Sequence, residues 1–176
     1  MDRGNHARPL AISLTVVGAL LRLLPHPANF TPVGGMSLYA GARLRGWQAF
    51  ALPLLLMAAT DPLRGGYSIA TPFVYLAFMI NVWIGRRWLK SSESPLRIGA
   101  ASFVCAAQFF VIADFGTWLG NWYPHTLAGL AQAYVAAIPF FGRMLAADLL
   151  YAGVLFGLHA WLSRTVRSAE RIPATA

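Results

Sequence analysis

This chain has very little charge: 11% of its residues are Asp, Glu, Lys or Arg, where an ordinary soluble domain carries about 25%. A small globule with so few ionised groups cannot cover its surface in water, so lipid is its natural solvent. Acidic residues are scarcer still, six against fourteen basic ones. The single cysteine, Cys105, stands inside an apolar run, which excludes a disulfide framework and any CxxC metal site. HExxH, GxSxG and P-loop motifs are missing, so the sequence carries no enzyme signature and no nucleotide site of its own. No cofactor or metal is implied. The net charge of +8 does not point to nucleic acid, because the bases fall in short groups between apolar runs and form no stripe interleaved with aromatics.

What fills the chain is apolar: 57% of residues are hydrophobic and the mean hydropathy is +0.55. Six helices are predicted, at about 9–24, 33–44, 48–60, 69–88, 98–115 and 139–162. The first follows Arg3 and Arg8 as a signal peptide would, but no small-residue cleavage pattern follows, so it reads as a retained helix. The second and third are short for a crossing at about 1.5 Å of rise per residue.

The distribution of bases favours six crossings with both termini in the cytoplasm. Arg3, Arg8, Arg43, Arg45, Arg86, Arg87, Lys90, Arg97, Arg164, Arg167 and Arg171 then lie inside, and only Arg22, Arg64 and Arg143 outside. Fusing the two short helices would put Arg86, Arg87 and Lys90 outside. A re-entrant pair would strand Arg43 and Arg45 at mid-membrane, at several kcal/mol per charge. The expected architecture is a single all-α membrane domain of six transmembrane helices in the cell (inner) membrane. The last outer loop, Gly116 to Ile138, is long; Thr126 can cap a short helix there that ends at Pro139, lying at the interface or closing as a lid. The tails, Met1 to Ala7 and Arg167 to Ala176, read as disordered.

The polar groups gather outside. Asp61, Asp114 and Asp148 accompany Arg22, Arg64 and Arg143, near the ends of different helices. Such groups mark either a functional site with paired partners or ion pairs that fix the bundle. His26 and Asn29 in the first outer loop, and Asn121 and His125 in the third, add hydrogen-bonding groups. Tyr67, Trp118, Trp122, Tyr123 and Tyr134 form either a wall for a planar ligand or an ordinary interfacial belt. Asn81 and Gln108 fall mid-helix, where an amide serves as interhelical glue or lines a pocket. Gly153 and Gly157 make a GxxxG, and Ala7 with Ala11 a second small-residue pair. Asn29-Phe30-Thr31 fits a glycosylation sequon and carries little weight in a chain of bacterial character.

Two stretches carry a resemblance. The run from Arg22 to Gly34, with Pro25-His26-Pro27-Ala28-Asn29-Phe30-Thr31-Pro32 at its centre, resembles the first helix end and loop of small bacterial membrane proteins of uncharacterised function. The run from Tyr123 to Leu130, with Tyr134, Ala136 to Phe141 and Asp148-Leu149-Leu150, resembles a second signature of that family. An Arg at the end of the first helix and an Asn between prolines also look like the substrate-binding S components of energy-coupling-factor vitamin transporters. That resemblance implies six helices, cytoplasmic termini and a ligand held at the outer face by loops and the last three helices. It also implies a contact, here Ala7-xxx-Ala11, with a transmembrane partner that works with ATPase subunits.

The sequence thus leads to a solute-capturing subunit, not an enzyme. Arg22, His26, Asn29, Asp61, Asn81, Asp114, His125 and Asp148 are its candidate ligand-binding residues, with the segment after Pro124 as a lid. A structural subunit of a larger membrane complex is the alternative, and a small intramembrane enzyme built on His125 and an Asp a third.

Overall fold

The computed structural model describes the backbone of residues 7–169 and the side chains of residues 8–165. Among them are six α-helices and no strand: α1 (Ala7–Leu21), α2 (Val33–Arg43), α3 (Gln48–Thr60), α4 (Thr71–Trp88), α5 (Pro95–Trp118) and α6 (Leu127–Ala169). A 3₁₀ turn, Asp61–Arg64, follows α3. The first five lie within three residues of the spans expected from sequence. Of the tails expected to be disordered, residues 1–6 and 170–176 fall outside the described residues, while Arg167 to Ala169 continue α6.

Prolines mark the starts. Pro72 and Pro95 occupy first-turn positions of α4 and α5, where a missing N–H costs nothing. The Thr126 hydroxyl accepts the Gly129 amide at 3.1 Å and caps α6, as the sequence suggested. The break expected at Pro139 does not occur: α6 runs through it, so there is no separate lid helix. A proline inside a helix removes one backbone bond and introduces a bend, and here packing on both sides of it carries the helix onward. Tyr134 donates to the Val111 carbonyl at 2.7 Å, and the Phe141 ring meets Phe110 and Phe103 edge-on. The first four turns of α6 are therefore fastened along α5.

The centre of the bundle is α2. Every residue from Val33 to Ala42 is buried, and α2 touches all five other helices. Glycine makes that possible. A β-carbon at Gly35 would sit 2.6 Å from the Ala152 amide of α6, and one at Gly41 or Gly85 would overlap the facing backbone at Val82 or Leu38. The sequence singled out a different pair. Gly153 and Gly157 face open space, with nothing within 4 Å of an added β-carbon. Ala11 is wholly buried within the bundle, so it offers no surface to a partner.

The interior is polar in places and the exterior apolar, the reverse of a water-soluble globule. Thr15, Ser37, Asn81, Ser102, Asp148 and His159 are buried, while Leu96, Val135, Leu150, Val154 and Trp161 are exposed. Pro95–Trp118 and Leu127–Thr165 are long and apolar enough to cross a membrane, and only 28% and 33% of their most apolar stretches are buried. A soluble core helix would be mostly covered; these faces suit lipid, which indicates membrane association.

Because the α2 contacts are backbone to backbone, they tolerate no added atom. Gly41→Ala and Gly85→Ala are expected to destabilise the bundle by more than about 2 kcal/mol, while Gly153→Ala and Gly157→Ala leave it unchanged. Thermal unfolding in mild detergent checks this contrast.

Candidate functional site

The charged groups sort to two ends of the bundle. At one end Arg8 donates to Gln48 at 2.9 Å, Arg86 to the Gly46 carbonyl at 2.9 Å, and Arg43 to the Leu89 and Ser92 carbonyls at 3.0 and 3.3 Å. Arg43 also stacks on Phe156. Deeper on the same side, Tyr39 meets His159 Nδ1 at 2.7 Å, a buried pair joined across 120 residues.

The other end holds most of the candidate residues, in two groups. Arg22, just past α1, reaches Asp61 at 2.5 Å and the Thr60 hydroxyl at 2.8 Å. The Tyr75 hydroxyl donates to the second Asp61 oxygen at 2.5 Å, and Arg64 donates to the Arg22 carbonyl at 2.6 Å. These residues, with Gly66, Ser68, Thr71 and Val74, line an open nook of about 150 Å³. The Arg22–Asp61 pair ties the end of α1 to the end of α3 and is largely sheltered from water, so each charge offsets the other's desolvation. His26 turns its ring nitrogens to the Pro27 and Arg22 carbonyls, 3.0 and 3.3 Å away, and so braces the loop itself.

The second group lies beneath that loop. Asn29 and Thr31 from the loop, Gly34 of α2, Phe78 of α4, Phe109 of α5, and Met144 and Asp148 of α6 enclose a cavity of about 40 Å³. Asp148 is only 3% exposed. Its carboxylate lies against the first turn of α2, near the Gly35 amide, so Asp148, from a neighbouring helix, sits at the start of α2. A β-carbon at Gly34 would collide with that carboxylate, and this is the chemical reason for a glycine just before Gly35. The Thr31 hydroxyl is buried with no hydrogen-bond partner. Asn29 holds a left-handed backbone, φ 62°, which asparagine tolerates better than most residues.

The depth of this cavity follows from helix lengths. α2 spans about 16 Å and α5 about 36 Å. Since Gly34 lies beside Asp148 and Phe78, the upper turns of α4, α5 and α6 rise past the start of α2, and residues 22–32 fill the space above it. One turn below the cavity, Asn81 accepts from Gln108 Nε2 at 2.6 Å, and that nitrogen also meets the Ala77 carbonyl at 2.9 Å. Asn81 Nδ2 and Gln108 Oε1 remain unpaired.

Not every candidate joins. Asp114 is half-buried on the α5–α6 arm, outside both groups. His125 points Nε2 at the Gly120 carbonyl, 3.0 Å away, and rests on Trp118; no hydrogen bond links it to Asp114 among the described residues. Arg143 is exposed and lies over Phe140. Of the two readings of the outer aromatics, a wall around a ligand finds no support at either group: Tyr67 donates to the Ala58 carbonyl, Trp118 to the Pro124 carbonyl, and Trp122 is exposed. Sequence reasoning missed Thr31, Tyr75, Phe78, Phe109 and Met144. Thr31 lay within the quoted loop motif; the others carry no local signal.

This arrangement belongs to an all-helical, apolar-surfaced bundle with a mostly apolar cavity that holds a few polar groups, roofed by its first loop. The chain is a member of the family described as a family of unknown function, DUF6580, whose model matches residues 4–171. No curated protein and no solved structure matches it.

Because Asp61 accepts from both Arg22 and Tyr75, Asp61→Asn is expected to cost about 2 kcal/mol and Tyr75→Phe about 1 kcal/mol. Unfolding measurements on the two variants and their double mutant check the coupling, which additivity would exclude.

Proposed function

We propose that this protein is a membrane-embedded solute-binding subunit that takes up a small molecule from the outer face, energised by separate transmembrane and ATPase subunits. The observation that carries the reading is the cavity under the first loop, where a carboxylate and an unpaired hydroxyl are buried beside two aromatic rings. Buried polar groups in a membrane protein call for partners, and a small apolar-walled cavity with a few convergent polar groups is the usual form of a ligand site. Asn29, Thr31 and Asp148 bind the solute; Asn81 and Gln108 form its floor; Arg22 and Asp61 hold the rim. Asp114 and His125 drop out of the site. The first loop, rather than the segment after Pro124, opens and closes it.

In this reading the chain crosses the inner membrane six times with both ends in the cytoplasm. The sequence resemblance to energy-coupling-factor S components supports it through length, helix number and the proline-flanked Asn29 loop. The second reading, an assembly subunit, draws on the exposed face at Gly153 and Gly157, which leaves room for a partner helix.

Mass spectrometry of small molecules released from the protein purified in mild detergent separates the two readings. Solute capture predicts one compound per chain, with Asp148→Ala and Asn29→Ala each lowering occupancy by about tenfold or more. An empty protein that brings down larger membrane subunits overturns it. Topology is checked with cysteines at Asn121 and Ser91. An impermeant maleimide applied to intact cells is expected to label the first and not the second, while buried Cys105 stays silent.

A further inference from the structure

We infer that the cavity under the first loop binds a protonated amine, so that the solute of the proposed function, on which this inference rests, carries one. Asp148 is buried with no cation paired to it among the described residues. The bases at that end are engaged elsewhere: Arg22 with Asp61, Arg64 with the Arg22 carbonyl, and Arg143 over Phe140 on the exterior. A carboxylate left alone in a low-dielectric site is strongly disfavoured until a proton or a cation joins it.

The rest of the lining selects among partners. An anion is repelled by Asp148. A neutral apolar group leaves the Thr31 hydroxyl unpaired and Asp148 without a counter-charge. A bare metal ion wants six or more oxygens if it is hard and divalent, yet Phe78, Phe109 and Met144 make up much of the wall. A protonated amine satisfies every surface at once. Its N–H groups find acceptors among Asp148, Thr31 and Asn29 in the lining, while the Phe78 and Phe109 rings, 4.8 Å apart at their centroids, give the cation and its first carbon an aromatic wall. The volume of about 40 Å³ holds a group of a few heavy atoms. A larger solute places only its amine here, and its remainder takes the space that the first loop occupies.

The test uses the full-length protein in lipid nanodiscs with radiolabelled methylammonium as probe. Saturable binding is expected, displaced by ammonium and propylamine and not by acetate, sodium or potassium. Asp148→Asn keeps an oxygen for the Gly35 amide and removes the charge; it is expected to weaken binding about tenfold or more, and Thr31→Val about threefold. Should Asp148→Asn fail to fold, Thr31→Val and Phe109→Leu carry the test, each weakening binding in a protein of unchanged unfolding temperature. Displacement by sodium as effective as by ammonium overturns the inference in favour of a metal cation. A neutral or anionic compound released at one per chain overturns it and leaves solute capture standing. No methylammonium binding and no released compound overturns both.

Discussion

The close approach of the α2 backbone to α4 and α6 is the contact from which the rest of the bundle is built. Helices normally stand apart by the thickness of their side chains. Here Gly35, Gly41 and Gly85 remove those side chains, and the backbones meet directly. In lipid there is little hydrophobic drive between helices, so such contact supplies the dispersion energy that holds them. It also explains how an 11-residue helix can be the hub of a bundle. Because α2 is short and lies wholly inside, the longer helices rise past its start. The space above it has to be filled by the first loop.

The charges that bond to the structure around that hub gather at its two ends. At one end the arginines spend their donors on backbone carbonyls, above all Arg43 at Leu89 and Ser92, just beyond the last turn of α4. A cation suits a helix C-terminus, where carbonyls are left without intrahelical partners. At the other end Arg22, Asp61 and Tyr75 form a closed set, with each carboxylate oxygen accepting one donor. The two ends thus differ in kind: one ties loops to helix termini, the other ties α1 to α3 and α4. Neither set uses Asp148.

The helices were legible in the sequence because length and apolar content alone define them. Gln48 to Thr60 is found at those very residues, though its short span argued against a crossing. Pro139 misled because proline in an isolated helix is a breaker, and only tertiary contacts from Tyr134 and Phe141 to α5 carry α6 through it. The Gly153 pair misled for a related reason: a GxxxG pattern specifies a smooth face without saying whether that face turns inward. The glycines that do the packing stand in adjacent and distant positions, Gly34-Gly35, Gly41 and Gly85, and no spacing rule collects them. At the candidate site, single residues such as Asn29, Asp61 and Asp148 were legible as polar groups out of place in an apolar chain. Their grouping was not. Arg22 finds Asp61 rather than Asp148, and Asp114 and His125 fall away, because partners 39 and 120 residues apart are matched by helix register and not by sequence distance.

Fold and candidate site converge on Gly34. Without a side chain there, the Asp148 carboxylate can lie against the first turn of α2, beside the Gly35 amide and the positive end of the helix dipole. Any larger residue would displace that carboxylate and fill the cavity. A purely structural cap needs nothing more than this, and would be best served by apolar neighbours closed tightly around it. The chain instead leaves the Thr31 hydroxyl unpaired and a void between Asp148 and two aromatic rings. Both features lower stability, since an unmet hydroxyl and an unfilled space each carry a cost. A closed bundle would have no use for them. A site that waits for a ligand accounts for both, with the same glycine setting the packing of α2 and the position of the charge the ligand would meet.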